Sequence, residues 1–401
     1  MKIAIIKERK NPPDKRTVLP PHICRELMKE YPQLTIKVES SEDRVFSDDD
    51  YRKEGIEVTS DISDCDVLLG VKEVPIDNLI PNKKYFFFSH TIKKQAYNRK
   101  LLKAVLEKKI ELYDHEVVVN ADGIRLVAFG RYAGIVGTYN AFRTYGLKHN
   151  LYQIPKANVH FDQNELVDEL KNIQLNPFKI VLTGTGRVGN GAKEILDAIP
   201  IKQVSVDAFL NETFAEPVYV QIDVLDYAKR KDGKVIDVFD FFKNPHEYEN
   251  NFERFTTVAD MYIAGHFYSE GSPEIISEEM MLNPDFKISV IADISCDLNV
   301  PIASTIRSST IENPIYGYNR FTNEETDYHS PMAIAVMAVD NLPCELPKDS
   351  SDGFGENFAK YVIPAFFNND KNGVLQRALM TKHGKLTDRF SYLQDYVNQE
   401  K

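Results

Sequence analysis

Short apolar runs alternate with amphipathic stretches along most of this chain. Lys2–Ile6, Thr35–Glu39 and Asp66–Val71 read as strands, and Tyr85–Ser89 (YFFFS) is nearly continuous in its apolarity, as in a strand buried on both faces of a parallel sheet. Helical spacing marks Pro20–Lys29 and roughly 94–108, while Glu111–Tyr113 and Val117–Val119 read as shorter β segments. From Tyr132 to His149 the pattern is helical again. Ile135, Tyr139, Phe142 and Leu147 fall on one side there, and Gly134 and Gly137 allow close packing against another helix. Further strands are expected near 180–183, 203–206 and 288–292, a helix over Pro331–Val339, and two amphipathic helices at the end. Asp207–Tyr248 is polar and charged and gives no assignable pattern. This alternation specifies an α/β fold with parallel sheets flanked by helices.

The strongest local signal lies in residues 178–192. Ile180, Val181 and Leu182 lead straight into Gly184-x-Gly186-x-x-Gly189, and helical spacing continues through Ile195 and Leu196. In that strand–turn–helix context the motif is a dinucleotide fingerprint. Gly184 permits the tight turn, Gly186 lets the backbone approach a pyrophosphate, and Gly189 lets helix and strand pack closely. The phosphates would sit at the helix N-terminus, with Arg187 and Val188 completing the cofactor-binding turn. Asp207, 18 residues after Gly189 and at the end of an expected second strand, is placed to bind a ribose 2′-hydroxyl. That favours NAD slightly over NADP, although Lys202 or Arg187 could meet a 2′-phosphate. Asp293, at the end of the strand Lys287–Ala292, joins the cofactor set. Two Rossmann-like domains follow: 1–135 with 325–401 as the catalytic, substrate-holding domain, and 136–324 as the dinucleotide-binding domain. The active site is expected in the cleft between them.

Composition narrows the partners. A chain of 401 residues with a net charge of −11 is expected to avoid nucleic acid and anionic membranes, so an anionic substrate would need locally placed arginines. With no long apolar stretch and no signal peptide, a cytoplasmic location is expected. Cys24, Cys65, Cys296 and Cys344 lie far apart, and the histidines form no HExxH, so no metal site is expected.

Candidate chemistry clusters at strand ends, where open α/β sheets present ligands. Lys72-Glu73 follows DVLLGV, His90 follows YFFFS, Asp114 and Glu116 follow the strand at 111–113, and Arg16 lies in the loop after the first strand. Each has a plainer reading: a solvated ion pair for Lys72-Glu73, a helix cap for His90, a surface position for Arg16. Together, however, a lysine and a histidine at the ends of buried strands suit reductive amination of an oxo acid. That reaction needs a neutral amine, dehydration of a carbinolamine and hydride delivery, and so groups that move protons near neutral pH. Arginines supply bidentate recognition of carboxylates.

Several stretches resemble known sequences: Ser63–Pro75, Tyr85–Gln95, Gly123–Gly134, Gly184–Gly189, Asn244–Tyr248, Ile291–Asp297 and Met337–Pro343. They are similar to the alanine dehydrogenase/transhydrogenase superfamily, and within it to lysine-forming saccharopine dehydrogenase and the lysine–ketoglutarate reductase half of aminoadipic semialdehyde synthase. The resemblance implies acid–base roles for Lys72 and His90, tuning by Glu73 and Glu116, and substrate binding by Arg16 and Arg125. It implies reversible conversion of L-lysine, 2-oxoglutarate and NAD(P)H to saccharopine, NAD(P)⁺ and water, with small-molecule partners only and the oligomeric state open. The reductase branch commonly uses NADPH. The chain ends before a glutamate-forming domain, so that second step is expected of another protein. The alternatives are an alanine dehydrogenase-like amino-acid oxidoreductase and a catalytically silent dinucleotide-binding regulator.

Overall fold

The computed structural model describes residues 1–11 and 13–399; Pro12 and the last two residues of the expected 325–401 segment lie outside it. The chain divides into two compact units, Met1–Phe129 with Pro347–Lys401, and Gly130–Leu346. The boundaries therefore fall at 129/130 and 346/347, not at 135/136 and 324/325. Gly130 is the first residue of the helix Gly130–His149, and residues 325–346, with the strand Ala333–Met337, belong to the second unit.

The first unit is built on six parallel strands: β1 (Lys2–Ile5), β2 (Thr35–Glu39), β3 (Glu57–Thr59), β4 (Val67–Leu69), β5 (Lys84–Phe87) and β6 (Glu111–Asp114), in the order β3-β2-β1-β4-β5-β6. Alternate residues feed two separate cores. Ile3, Ile5, Val67, Leu69 and Phe86 enter one, and Ala4, Leu68, Tyr85 and Phe87 the other. Both faces are buried, which is why these strands read as unbroken apolar runs. Strand order reverses between β1 and β4, and ligands of open sheets bind beyond the carboxyl ends of the strands at such a switch point. Val117–Val119 is not a strand. His115–Val117 forms a 3₁₀ turn, and Val119 makes a single bridge to Arg125. The chain's return supplies the helix Pro347–Tyr361, whose Phe354 and Phe358 pack into the first of those cores, followed by three shorter helices rather than one.

The main sheet of the second unit has eight strands. They are β7 (Lys179–Thr183), β8 (Lys202–Gln203), β9 (Val218–Ile222), β12 (Met261–Ala264), β13 (Val290–Asp293), β14 (Ile315–Asn319), β15 (Glu324–Thr326) and β16 (Ala333–Met337), ordered β15-β14-β16-β13-β12-β7-β9-β8. Only β14 runs antiparallel to its neighbours, pairing that way with both β15 and β16. A small hairpin, β10 (Ala228–Arg230) and β11 (Tyr248–Asn250), and several short helices fill the segment that gave no pattern. Two expectations fail here. Ala333–Met337 is a strand because its five residues are all buried between neighbours, and a short apolar run does not distinguish buried strand from buried helix. The expected strand over 203–206 is cut to Lys202–Gln203, because Ser205 caps a helix, Val206–Asn211, by accepting from the Ala208 amide. The expected close helix packing is present: a Cβ on Gly134 would lie 2.0 Å from the Val188 carbonyl oxygen, and one on Gly191 2.0 Å from that of Arg131. Among the described residues no helix is long and apolar enough to cross a membrane.

Candidate functional site

In the first unit, parallel pairing brings the carboxyl ends of β1, β4, β5 and β6 to one edge, so residues far apart in sequence become neighbours. His90 follows β5 with φ +52°, a left-handed conformation uncommon for a non-glycine residue. Its Nδ1 lies 2.6 Å from Oε1 of Glu73, which follows β4. The imidazole also stacks on Phe88 at 6.2 Å and 18°. Burial alone would raise the Glu73 pKa, but the bond to His90, its own backbone amide and the charges of His90 and Lys10 bring it down to about 2. Glu73 is therefore a fixed anion that orients the imidazole. The Lys10 ammonium sits 3.2 Å from its other oxygen.

Arg16 is not a surface residue. It is 3% exposed, makes bonds of 3.0 and 2.7 Å to the Asp14 carboxylate, and lies 4.2 Å over the Phe129 ring. Burial opposes ionisation of Asp14, but the Arg16 charge and hydrogen bonds, with a contribution from the charge of Lys72, hold it well below the usual carboxylate range. Lys72 is half-buried, and its backbone amide donates to Glu8 at 2.8 Å. Beyond β6, Arg125 Nη2 is 3.9 Å from Glu116 Oε1, and Glu116 Oε2 is buried without a hydrogen-bond partner. Asp114 is fully buried, accepts from the Ser89 amide (2.9 Å), the Ser89 hydroxyl and the Glu116 amide (2.7 Å), and is pushed up to about 6 chiefly by burial. The structure thus pairs His90 with Glu73, brings Arg125 beside Glu116, and leaves Lys72 and Arg16 within electrostatic reach of one carboxylate. It also adds Glu8, Asp14 and His115. Glu8 was hidden within the charged run Lys7–Lys10, although it follows β1 much as Lys72 follows β4.

In the second unit the fingerprint takes the expected form. Gly184 has φ +97°, and a Cβ there would lie 2.4 Å from the Gly265 carbonyl oxygen. A Cβ on Gly189 would lie 1.9 Å from the Gly184 carbonyl oxygen. Gly186 precedes the helix Arg187–Ala198, and a Cβ there would meet nothing within 4 Å. It borders a cavity of about 450 Å³ lined also by Arg131, Thr185, Arg187, Asn190 and Glu194. An open cradle at a helix N-terminus fits a dinucleotide pyrophosphate. Arg187 is exposed beside it, while Val188 packs toward Gly130.

The ribose assignment changes. The strand next to β7 is β9, and the Gly184 amide donates to Ile222 at 2.8 Å, so Asp223 stands beside the first glycine. Asp207 lies one strand farther out, in the first turn of Val206–Asn211, where it accepts from Asn211 at 2.9 Å. Lys202 is level with Val218, about 13 Å along β9 from Ile222. The cue in sequence was the run Val218–Ile222 ending in an acid, within the segment that gave no pattern. Asp293 ends β13 as expected, but its carboxylate serves its own loop. It accepts from Ser295 N (3.0 Å), Ser295 Oγ (2.7 Å), Cys296 N (3.2 Å) and Thr305 Oγ1 (2.7 Å). Among the described residues no cluster of three or more His, Cys, Asp or Glu could hold a metal ion, and all four cysteines are free.

Residues 4–136 match the family model described as alanine dehydrogenase/PNT, N-terminal domain. Alpha-aminoadipic semialdehyde synthase of Arabidopsis thaliana is 27% identical over 98% of this chain and 41% of its own length. The mitochondrial enzyme of that name from Bos taurus is 28% identical over 90% and 44%. This chain therefore spans less than half the length of these synthases. Saccharopine dehydrogenase (NAD(+), L-lysine-forming) of Schizosaccharomyces pombe is 25% identical over 86% of this chain and 88% of its own. Among solved structures, an L-alanine dehydrogenase superposes with TM-score 0.66 at 17% identity over 99% of both chains. A transhydrogenase from Sinorhizobium meliloti does so with 0.56 at 13% identity, over 96% of this chain and 99% of that one. The fold is α/β, two Rossmann-like domains with parallel sheets flanked by helices.

Proposed function

We propose that this chain is a nicotinamide-dependent oxidoreductase of lysine metabolism, interconverting L-lysine, 2-oxoglutarate and NAD(P)H with saccharopine, NAD(P)⁺ and water. The observation that carries the reading is the His90–Glu73 pair at 2.6 Å beside Lys72, on a sheet edge that also holds Arg16 and Arg125. The resemblance to saccharopine dehydrogenases and to the synthases supports the choice of substrate.

The chemistry divides among these groups. Bound nicotinamide supplies or accepts the hydride. Lys72 and His90 handle the protons: one must leave the incoming ammonium, one must reach the carbinolamine hydroxyl so that it departs as water, and the reverse direction returns both. Glu73, held ionised, fixes the imidazole orientation, and Glu116 acts beside Arg125. Arg16 and Arg125 serve the substrate carboxylates, offsetting a net charge of −11. In the second unit Gly184, Gly186, Arg187 and Gly189 would hold the pyrophosphate and Asp223 a ribose hydroxyl, which favours NAD. The test is loss of reduced-nicotinamide absorbance with 2-oxoglutarate and L-lysine, run with NADH and with NADPH. Lysine-dependent oxidation is expected, faster with NADH. Consumption with pyruvate and ammonia but not with lysine would overturn the substrate assignment.

A further inference from the structure

We propose that Glu8 and His115 are positioning residues for Lys72, clamping the loop that presents it from two directions. The inference rests on the acid–base role given to Lys72 above. After β4 ends at Leu69, the amides of Val71 and Lys72 donate to a side chain instead of a strand carbonyl. The Glu8 carboxylate takes that place. Its Oε1 accepts from the Val71 amide at 2.7 Å and its Oε2 from the Lys72 amide at 2.8 Å. From the other direction, His115 at the end of β6 donates Nε2–H to the Gly70 carbonyl oxygen at 2.9 Å. The peptide unit between Gly70 and Val71 is thus held at its carbonyl and at its amide by side chains from the segments that follow β6 and β1. The next amide is that of Lys72 itself.

Two features single out these bonds. The His115 ring is fully buried among Phe86, Phe88, Phe354 and Phe358, with ring centroids 5.0 to 6.2 Å away. Its Nδ1 has no hydrogen-bond partner there. A phenylalanine would suit that cage better, since an orphaned buried polar atom is destabilising. What the imidazole adds is the bond to Gly70. Glu8, correspondingly, is a carboxylate kept in a position where burial and the nearby Asp14 charge raise its pKa to about 7, against the pull of the two amides and Arg16.

The test uses the full chain and four variants. Glu8→Gln keeps the shape but turns an amide nitrogen toward an amide donor, so one clamp bond is lost. His115→Phe fills the aromatic cage without a donor, and His115→Gln restores one at similar reach. Glu8→Gln is expected to lower kcat about tenfold with KM for 2-oxoglutarate within about twofold, and His115→Phe about fivefold, with partial recovery in His115→Gln. In a Lys72→Met background Glu8→Gln should lower the residual rate by less than about twofold, because its effect runs through Lys72. Unchanged kcat in both single variants, or an undiminished further loss in the Lys72→Met background, overturns the clamp. Wild-type inactivity with lysine and 2-oxoglutarate would instead overturn the functional reading, and the clamp is then judged without turnover. Trace acetylation by acetic anhydride, read by peptide mass, should change at Lys72 relative to exposed Lys100 by about twofold or more in Glu8→Gln. No change there also overturns it.

Discussion

The two units solve ligand placement by opposite means. The second unit uses backbone and empty space: three glycines within six residues, a strand before them and a helix after, with no side chain needed to shape the cradle. The first unit uses side chains almost exclusively, and their partners come from separate segments of the sequence, Glu73 with His90, Arg125 with Glu116, Glu8 with the Val71 and Lys72 amides, His115 with Gly70. A contiguous device of the first kind is fixed by local chain geometry. A distributed one of the second kind exists only once β1, β4, β5 and β6 are in register.

The contrast is broken most severely at Gly189. A valine there forces carbons into the Gly184 carbonyl, already 1.9 Å from an ideal Cβ, so the turn must open. We expect loss of detectable dinucleotide binding together with a marked fall in Tm. Gly186→Val should abolish binding with little change in Tm, because a Cβ at Gly186 meets only open space. Calorimetric titration with NADH, paired with thermal denaturation, separates the two. Equal Tm losses would mean that Gly186 is as structurally constrained as Gly189.

The first unit should respond in the reverse manner, losing chemistry while keeping affinity. His90→Gln and Lys72→Met are each expected to lower kcat about 10²-fold or more with the dinucleotide Kd unaltered, the range general acid–base groups contribute. Stopped-flow oxidation of NADH checks this. A weakened Kd would show that the two devices are not independent.

The same contrast explains what could be read from the chain. YFFFS, KIVLT and Gly184-x-Gly186-x-x-Gly189 carry their meaning within a few residues, so the strands, the α/β class and the fingerprint were legible. Lys72, His90 and Arg16 were legible as candidates because each lies near a strand end. Their partners were not. Nothing in Lys7–Lys10 separates Glu8 from a solvated charge run, and the buried Asp14–Arg16 pair depends on Phe129, over a hundred residues away. Asp207 was misplaced for a related reason: spacing from the fingerprint stood in for strand order, and β9 rather than β8 lies against β7.

That correction yields a prediction of intermediate size. Asp223→Ser should raise the relative kcat/KM for NADPH over NADH by about tenfold, by removing a carboxylate from beside the first glycine. Asp207→Ala should leave the ratio within about twofold. A shift on changing Asp207 but not Asp223 would restore the spacing argument.

The smallest expected effect concerns stability, and it tests whether Glu73 is the fixed anion of its pair. Burial raises its pKa, but His90, the backbone and Lys10 outweigh it and leave a folded value of about 2 against 4.5 for the free group. A depressed carboxylate contributes stability that is fully present above the unfolded pKa and is lost as pH falls toward the folded one. The window is therefore about pH 4.5 down to 2, and the loss is of order 1–3 kcal/mol. Glu73→Gln has no such charge to lose, so its stability deficit relative to wild type should shrink across that window. Urea denaturation at pH 7, 4.5 and 3 measures the deficit directly. A deficit that stays constant would mean that Glu73 is not held by the His90 imidazole, and the orienting role assigned to the carboxylate would fall with it.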